Sequence, residues 1–516
     1  MSGPRTSYIP PPSVMDARNT SIGALFHARV AANGTSRAVV DGERALTYEE
    51  LEVRSNQLAN AFIAMGVAHG DRVALLAHNC LEYVEIELAA AKAGIIVAAL
   101  NWRLGDRELT HCINMVEPNI VIAQTDLTQA LSRLDLCPHQ RIVLGTEYEA
   151  LLAESTTACP NVEIDPEDGL VILYTSGTTG LPKGALISHR AMLARVTCYA
   201  SELEVPVGDN FCAWAPFYHM ASTDHSLATL LRGGTVHIID GYEPERLIEF
   251  LENETTQWFI LMPGMLGPFT AILNERNVTV KGVGTCGAMA DLVPREQIAA
   301  ASRALNAPFN NTFGATETGL PPATRSTIPI GVVPENLSKH QSAFCELRLV
   351  DQDDNDVPVG TPGEVALRGP TLFSGYWNAH ETNEHDFRNG WFHMGDVLRR
   401  NADGSLDYVD RLKYMIKSGG ENIYPAEIES VLLADPGVHE AVVVRRPDAR
   451  WGEVPVAFIV RAQGEVSAQE LMSVCRENLS SYKRPKDIFF LREADLPRST
   501  TGKIQRHELE ARLAPE

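Results

Sequence analysis

Leu170-Val171-Ile172-Leu173-Tyr174-Thr175-Ser176-Gly177-Thr178-Thr179-Gly180-Leu181-Pro182-Lys183-Gly184-Ala185-Leu186-Ile187-Ser188 is the stretch whose reading decides the fold. Leu170 to Leu173 are apolar and lead in as a buried strand. Ala185 to Ile187 lead out, and Ser188 can cap a following helix. Between them lie hydroxyls, glycines and one lysine. Such a loop can wrap a polyphosphate with backbone N–H groups and hydroxyl donors, while Lys183 supplies charge. It is not the common P-loop, because Lys183 stands between Pro182 and Gly184 and no Ser or Thr follows it. The competing reading is a flexible surface loop. A buried strand running straight into the loop argues against it.

Upstream, the pattern alternates. Thr47 can N-cap a helix with Glu50 reaching back at its third position. Asp71 to Leu76 reads as a buried strand, Glu85 to Ala93 as a helix stopped by Gly94, and Ile95 to Leu100 as the next strand. Strand–helix–strand order implies βαβ units on a largely parallel sheet. Downstream, Glu346 to Val350, Glu364 to Leu367 and Leu406 to Val409 are short strands between turn signals, a small β-rich, barrel-like section. After Asp410 a new pattern begins: a helix at Pro425 to Leu433, strands at Glu440 to Val444 and Val454 to Val460, a helix at Ala468 to Leu479, and a strand at Asp487 to Leu491. The expected fold is α/β, with a large N-terminal domain over 1–410 and a small α+β domain over 411–516.

Bulk composition limits the partners. The chain has 516 residues, too many for one ordinary core. Its formal net charge of −22 opposes binding to nucleic acid or anionic membranes. Nine scattered cysteines lack any C-x-x-C spacing, which speaks against a zinc site or disulfide framework and for reduced thiols. The N-terminus carries Pro10 to Pro12 and no apolar core of a signal peptide, and the apolar run Leu88 to Leu100 is broken by Lys92. A cytoplasmic protein without stable membrane insertion is expected, and a homodimer is left open.

Further segments follow in order: Pro216-Phe217-Tyr218-His219, Asn311-Thr312-Phe313-Gly314-Ala315-Thr316-Glu317, Trp391-Phe392-His393-Met394-Gly395-Asp396, Tyr408-Val409-Asp410-Arg411-Leu412-Lys413, Lys417-Ser418-Gly419-Gly420-Glu421-Asn422, and Leu496-Pro497-Arg498-Ser499-Thr500-Thr501-Gly502-Lys503. With the loop after Tyr174, this ordered set resembles the adenylate-forming (AMP-binding) superfamily, in its acyl- and aryl-CoA synthetase branch. The resemblance covers almost the whole chain.

That resemblance implies roles. Thr175, Ser176, Gly177, Thr178, Thr179, Gly180 and Lys183 would hold the ATP phosphates. Asn311, Thr312 and Gly314 would surround the nucleotide, Phe313 would stack on adenine, Thr316 would bond the α-phosphate and Glu317 would ligate Mg²⁺. Asp396 would take both ribose hydroxyls and Arg411 would touch the nucleotide. Lys503 would be the adenylation lysine, carried on a mobile C-terminal domain that pivots at Lys413. Lys417, Gly419 and Gly420 would serve the thioester step. His219, Met220, Asp224, Gly287, Ala288 and Met289 would surround the acyl chain. One departure stands out: where relatives have a Gly-Ser-Val-Gly segment, this chain reads Asn336 to Gln341, with Lys339 in a glycine's place.

The implied reaction is attack of a carboxylate on the α-phosphorus of MgATP, release of pyrophosphate, and transfer of the acyl group to the thiol of coenzyme A with loss of AMP. No side-chain nucleophile is required, so the protein contributes position and charge neutralisation. A carrier-protein phosphopantetheine acting in trans is the alternative acceptor. A catalytically inactive ligand-binding relative is the alternative of another class. Cys286, Met289 and Met262 suggest an apolar, adaptable acyl site suited to a bulky cyclic or branched acid.

Overall fold

The computed structural model describes residues 13–14, 17, 19–137, 139–175, 181–291, 293–419, 421–462, 464, 466–498 and 504–513. They group into two compact units. The first comprises 1–257, 315–319 and 370–380, and the second 258–314, 320–369 and 381–516.

The first unit is built on a six-stranded sheet in the order Gln140–Val143, Ile120–Ala123, Arg72–Leu76, Ile96–Ala99, Gly169–Thr175, Lys183–Ser188. The first five strands run parallel, as the βαβ reading requires. Ile120–Ala123 and Ile96–Ala99 are buried throughout, as expected for strands covered on both faces. The last pair is antiparallel, with Thr175 opposite Lys183. Lys183 therefore begins the exit strand, two residues before the sequence pattern suggested. A second sheet in this unit, Arg44–Thr47, Arg37–Asp41, Thr235–Ile238 and Asn210–Ala213, was not anticipated from sequence.

Thr47 caps the helix Tyr48–Ala64 with the full capping box through Glu50. The helix Leu81–Ala93 ends at Gly94, whose left-handed φ of 67° favours glycine. Every residue of this helix but Glu82 is buried, Glu85 and Lys92 included. Lys92 donates to Glu52 (2.6 Å), Ser55 (2.7 Å) and Asn56 (2.8 Å), and Glu85 accepts from Arg54 and Tyr148. Buried charges persist only with such partners. The lysine that interrupts the apolar run is thus an internal ion pair rather than a surface charge.

The second unit contains the parallel strands Gly282–Ala288 and Phe309–Asn311, and then an antiparallel meander of Glu346–Val350, Pro362–Arg368, Phe392–Arg400 and Leu406–Arg411. Three of the meander's strands were expected. The third carries the Trp391-to-Asp396 motif, which the sequence showed only as a motif. The 410/411 boundary expected from sequence falls at the end of the meander's last strand. Beyond it, helices Pro425–Leu433 and Ala468–Asn478 lie with a five-stranded sheet. The strand expected at Glu440 to Val444 extends over Val438–Asp448 and pairs with Gly452–Arg461. Ile416, Ile428, Val443, Ile459 and Leu471 are central members of its core. None of the nine cysteines, all among the described residues, forms a disulfide. Among the described residues no helix is long and apolar enough to cross a membrane.

Candidate active site

The motif Asn311 to Glu317 is divided: its first four residues belong to the second unit, and Ala315 to Glu317 belong to the first. Each half is fastened by its own neighbours.

In the first unit, the 370–380 segment lies along the exit strand. Ser374 N–H donates to the Leu186 carbonyl (2.7 Å), Leu186 N–H to Gly375 (3.0 Å), and Trp377 N–H to Gly184 (2.8 Å). This register sets Tyr376 beside Lys183. Lys183 Nζ lies 3.8 Å from the centre of the Tyr376 ring, a close cation–π contact. The Tyr376 hydroxyl donates to Glu317 Oε1 at 2.8 Å. Lys183, Tyr376 and Glu317 thus form one connected group. Tyr376 has no motif spacing that could have flagged it.

The turn carrying Thr316 and Glu317 is tied from two further directions. Phe373 N–H donates to the Glu317 carbonyl (2.9 Å). Arg195 donates to the carbonyls of Thr316 (2.8 Å) and Thr371 (3.1 Å), and to Asp224 Oδ2 (3.0 Å). Arg195 and Asp224 are 3% and 4% exposed, a buried ion pair. Burial pushes the Asp224 carboxyl up from its ordinary value and Arg195 opposes that shift. Asp224, assigned by resemblance to the acyl site, is here the counterion of the arginine that holds the Thr316 turn. His219 accepts from Ala221 N–H through Nδ1 (3.1 Å) and caps the helix Met220–Leu231. Ser176, Gly177, Thr178, Thr179 and Gly180 lie outside the described residues.

In the second unit, Thr312 N–H donates to the Ala288 carbonyl (3.0 Å), and Asn311 Oδ1 accepts from Ala290 N–H (2.9 Å). This joins the Gly287-to-Met289 segment to the Asn311-to-Phe313 segment. Gly287 is forced by packing: a Cβ there would lie 2.3 Å from the Asn310 carbonyl oxygen and 2.6 Å from the Trp258 ring. Met289 is exposed. Phe313 is buried, with its ring 5.5 Å from that of Tyr408. Asp396 is buried on the strand Phe392–Arg400 directly opposite Arg411, whose Nε lies 2.7 Å from Asp396 Oδ1. Burial and the charges of Asp396 and Asp410 push the Tyr408 hydroxyl well above its usual range.

Lys339, the departure from the glycine-rich pattern, is fully buried and paired with Asp291. Its backbone exchanges hydrogen bonds with Leu406 (2.8 Å each way), and its ammonium sits 5.9 Å from the Phe313 ring centre. The lysine is thus a neutralised core group, not a free charge. Asp410 accepts from Ala426 N–H at 2.7 Å and anchors the helix Pro425–Leu433; burial pushes its carboxyl up to about 6. Lys413 is lowered from its ordinary value by burial and the Arg411 charge. Lys417 is exposed on the strand Ile416–Ser418, and Gly419 adopts φ 60° against the Trp451 ring. Gly420 and Lys503 lie outside the described residues.

The donor set suits the expected magnesium. Glu317 is a half-exposed carboxylate with Oε1 engaged by Tyr376, and a hard cation takes oxygen ligands of this kind.

Comparison with known proteins bears on the family of the chain. A family model described as AMP-binding enzyme matches residues 26–377, and its C-terminal domain model matches 427–503. A feruloyl-CoA synthase of Amycolatopsis sp. is 34% identical over 504 residues, covering 96% of this chain and all of the relative. An indoleacetate–CoA ligase of Aromatoleum aromaticum is 33% identical over 484 residues, covering 92% and 94%. Among solved structures, o-succinylbenzoate CoA synthetase of Bacillus subtilis with its acyl-adenylate superposes with TM-score 0.82 at 26% identity, over 94% and 97% of the two chains. This chain belongs to the AMP-binding enzyme family and is an AMP-forming acid–CoA ligase that uses ATP, Mg²⁺ and CoA.

Proposed function

We propose that the acid activated is a cyclic, aryl-bearing carboxylic acid, taken first to its adenylate and then to its CoA thioester. The observation that carries this reading is likeness over nearly the whole chain to two ligases whose names give aryl-bearing acids, feruloyl-CoA synthase and indoleacetate–CoA ligase. The cytoplasm, which supplies ATP and CoA, is the proposed compartment.

The proposed roles follow the chemistry of each group. Lys183 and the hydroxyls from Thr175 to Thr179 neutralise and orient the β- and γ-phosphates. Thr316 bonds the α-phosphate. Glu317 holds Mg²⁺, which when bound spreads the charge of the phosphates. Phe313 faces adenine, and Asp396 accepts the ribose hydroxyls. Lys503 bridges the attacking carboxylate and the α-phosphate as charge builds. Residues from 411 onward act as a separate moving part: a turn at Lys413 withdraws Lys503 and brings Lys417, Gly419 and Gly420 to the thioester step.

The test is a panel of acids, assayed by pyrophosphate release without CoA and by thioester formation with it. Ferulate and indoleacetate should outpace acetate and long-chain fatty acids in kcat/KM. A clear preference for a long-chain fatty acid refutes the aryl assignment while leaving the ligase chemistry intact.

A further inference from the structure

We infer that Tyr376 is a positioning residue for the magnesium carboxylate, coupling the phosphate-loop lysine to Glu317. The inference rests on the reading of Glu317 as the Mg²⁺ ligand. It adds a residue that neither the ordered motifs nor the comparisons assign.

Three observations carry it. The Tyr376 hydroxyl donates to Glu317 Oε1 at 2.8 Å. A carboxylate held at one oxygen has its plane set, and its other oxygen is aimed rather than free to rotate. The face of the same ring receives the Lys183 ammonium at 3.8 Å. One side chain therefore touches both the cation that meets phosphate and the anion that meets metal. Finally, Tyr376 is itself immobilised. It forms a bridge with Ala185 of the exit strand, its two neighbours Gly375 and Trp377 are bonded to that strand, and its ring packs edge-on against Phe373 at 4.8 Å. The carboxylate's backbone is held as firmly, by Phe373 at Glu317 and by Arg195 at Thr316. Only the side-chain torsions of Glu317 remain, and the hydroxyl bond restricts them. Preorganisation of this kind lowers the cost of ordering ligands when the ion arrives.

Two substitutions separate the two contacts. Tyr376→Phe removes the hydroxyl and keeps the ring. Tyr376→Leu removes both. Binding is read by electron paramagnetic resonance of Mn²⁺ with ATP, and ATP affinity without metal is read by calorimetry. Because a hydrogen bond to a charged group is lost, Tyr376→Phe should weaken Mn²⁺ binding in the ATP complex roughly 10-fold. It should leave metal-free ATP binding and the melting temperature unchanged. Tyr376→Leu should weaken metal-free ATP binding as well, through the lost seat of Lys183. Glu317→Gln is the reference. If it weakens Mn²⁺ binding and Tyr376→Phe does not, the positioning role is refuted and the Glu317 assignment survives. If Glu317→Gln itself leaves Mn²⁺ binding intact, the underlying reading fails and the role of Tyr376 fails with it.

Discussion

Replacing Asp224 by alanine should destabilise the protein, and the size of the loss follows from its surroundings. Arg195 and Asp224 are 3% and 4% exposed, and their charged atoms lie 3.0 Å apart. Without Asp224 the Arg195 guanidinium keeps its bonds to the Thr316 and Thr371 carbonyls but stands in the interior as an uncompensated charge. Breaking a buried pair from one side costs about 3–5 kcal/mol. In a chain of this size, with an unfolding entropy of about 2.1 cal/mol/K per residue, that lowers the melting temperature by roughly 3–5 °C. Since Arg195 also holds the turn that carries Glu317, adenylation should fall together with stability. The double variant Arg195→Met/Asp224→Leu removes both charges at similar volume, so it should recover most of the stability without recovering the turn. The assay is thermal unfolding in parallel with pyrophosphate release at saturating acid. A different result overturns the reasoning: Asp224→Ala with wild-type stability and a changed KM for the acid alone. That outcome would make Asp224 a wall of the acyl site, as the family resemblance suggested, and the ion pair incidental.

Asp396→Ala should weaken ATP binding and should penalise 2′- and 3′-deoxy-ATP less than ATP; equal losses in calorimetry would remove Asp396 from the ribose. Lys503→Ala should abolish acyl-adenylate formation yet still convert supplied acyl-adenylate and CoA to thioester, with Lys417→Ala biased the other way. Equal slowing of both half-reactions by Lys503→Ala would refute the moving-domain assignment. The Asp410 carboxyl titrates at about 6 in the fold against an ordinary 3.8, so the folded state holds this proton more tightly than the unfolded chain. The corresponding stability, about 3 kcal/mol, is present below pH 4 and lost as pH rises through 6. Asp410→Asn should flatten the stability profile between pH 4 and 7, and parallel profiles for the two proteins would contradict the buried setting of that group.

What the chain spells locally was legible without coordinates. The capping box of Thr47 and Glu50, the stop at Gly94 and the helix Pro425–Leu433 depend on neighbours within a few residues, and the structure has them where the pattern put them. The order of motifs also sufficed to identify the chemistry, because a nucleotide needs its lysine, carboxylates and glycines in any fold that binds it. The partners of buried polar groups were another matter. Tyr376 and Glu317 are 59 positions apart, Arg195 and Thr316 are 121, and Lys339 and Asp291 are 48. No periodicity links such pairs. They meet because particular strands adopt a particular register, and because a charge taken out of water must find a counter-charge wherever packing leaves one. Lys339 shows the consequence most directly. Read as sequence it was a basic residue intruding where relatives have glycine. Only the tertiary structure supplies Asp291 beside it and turns the intrusion into a neutral part of the core.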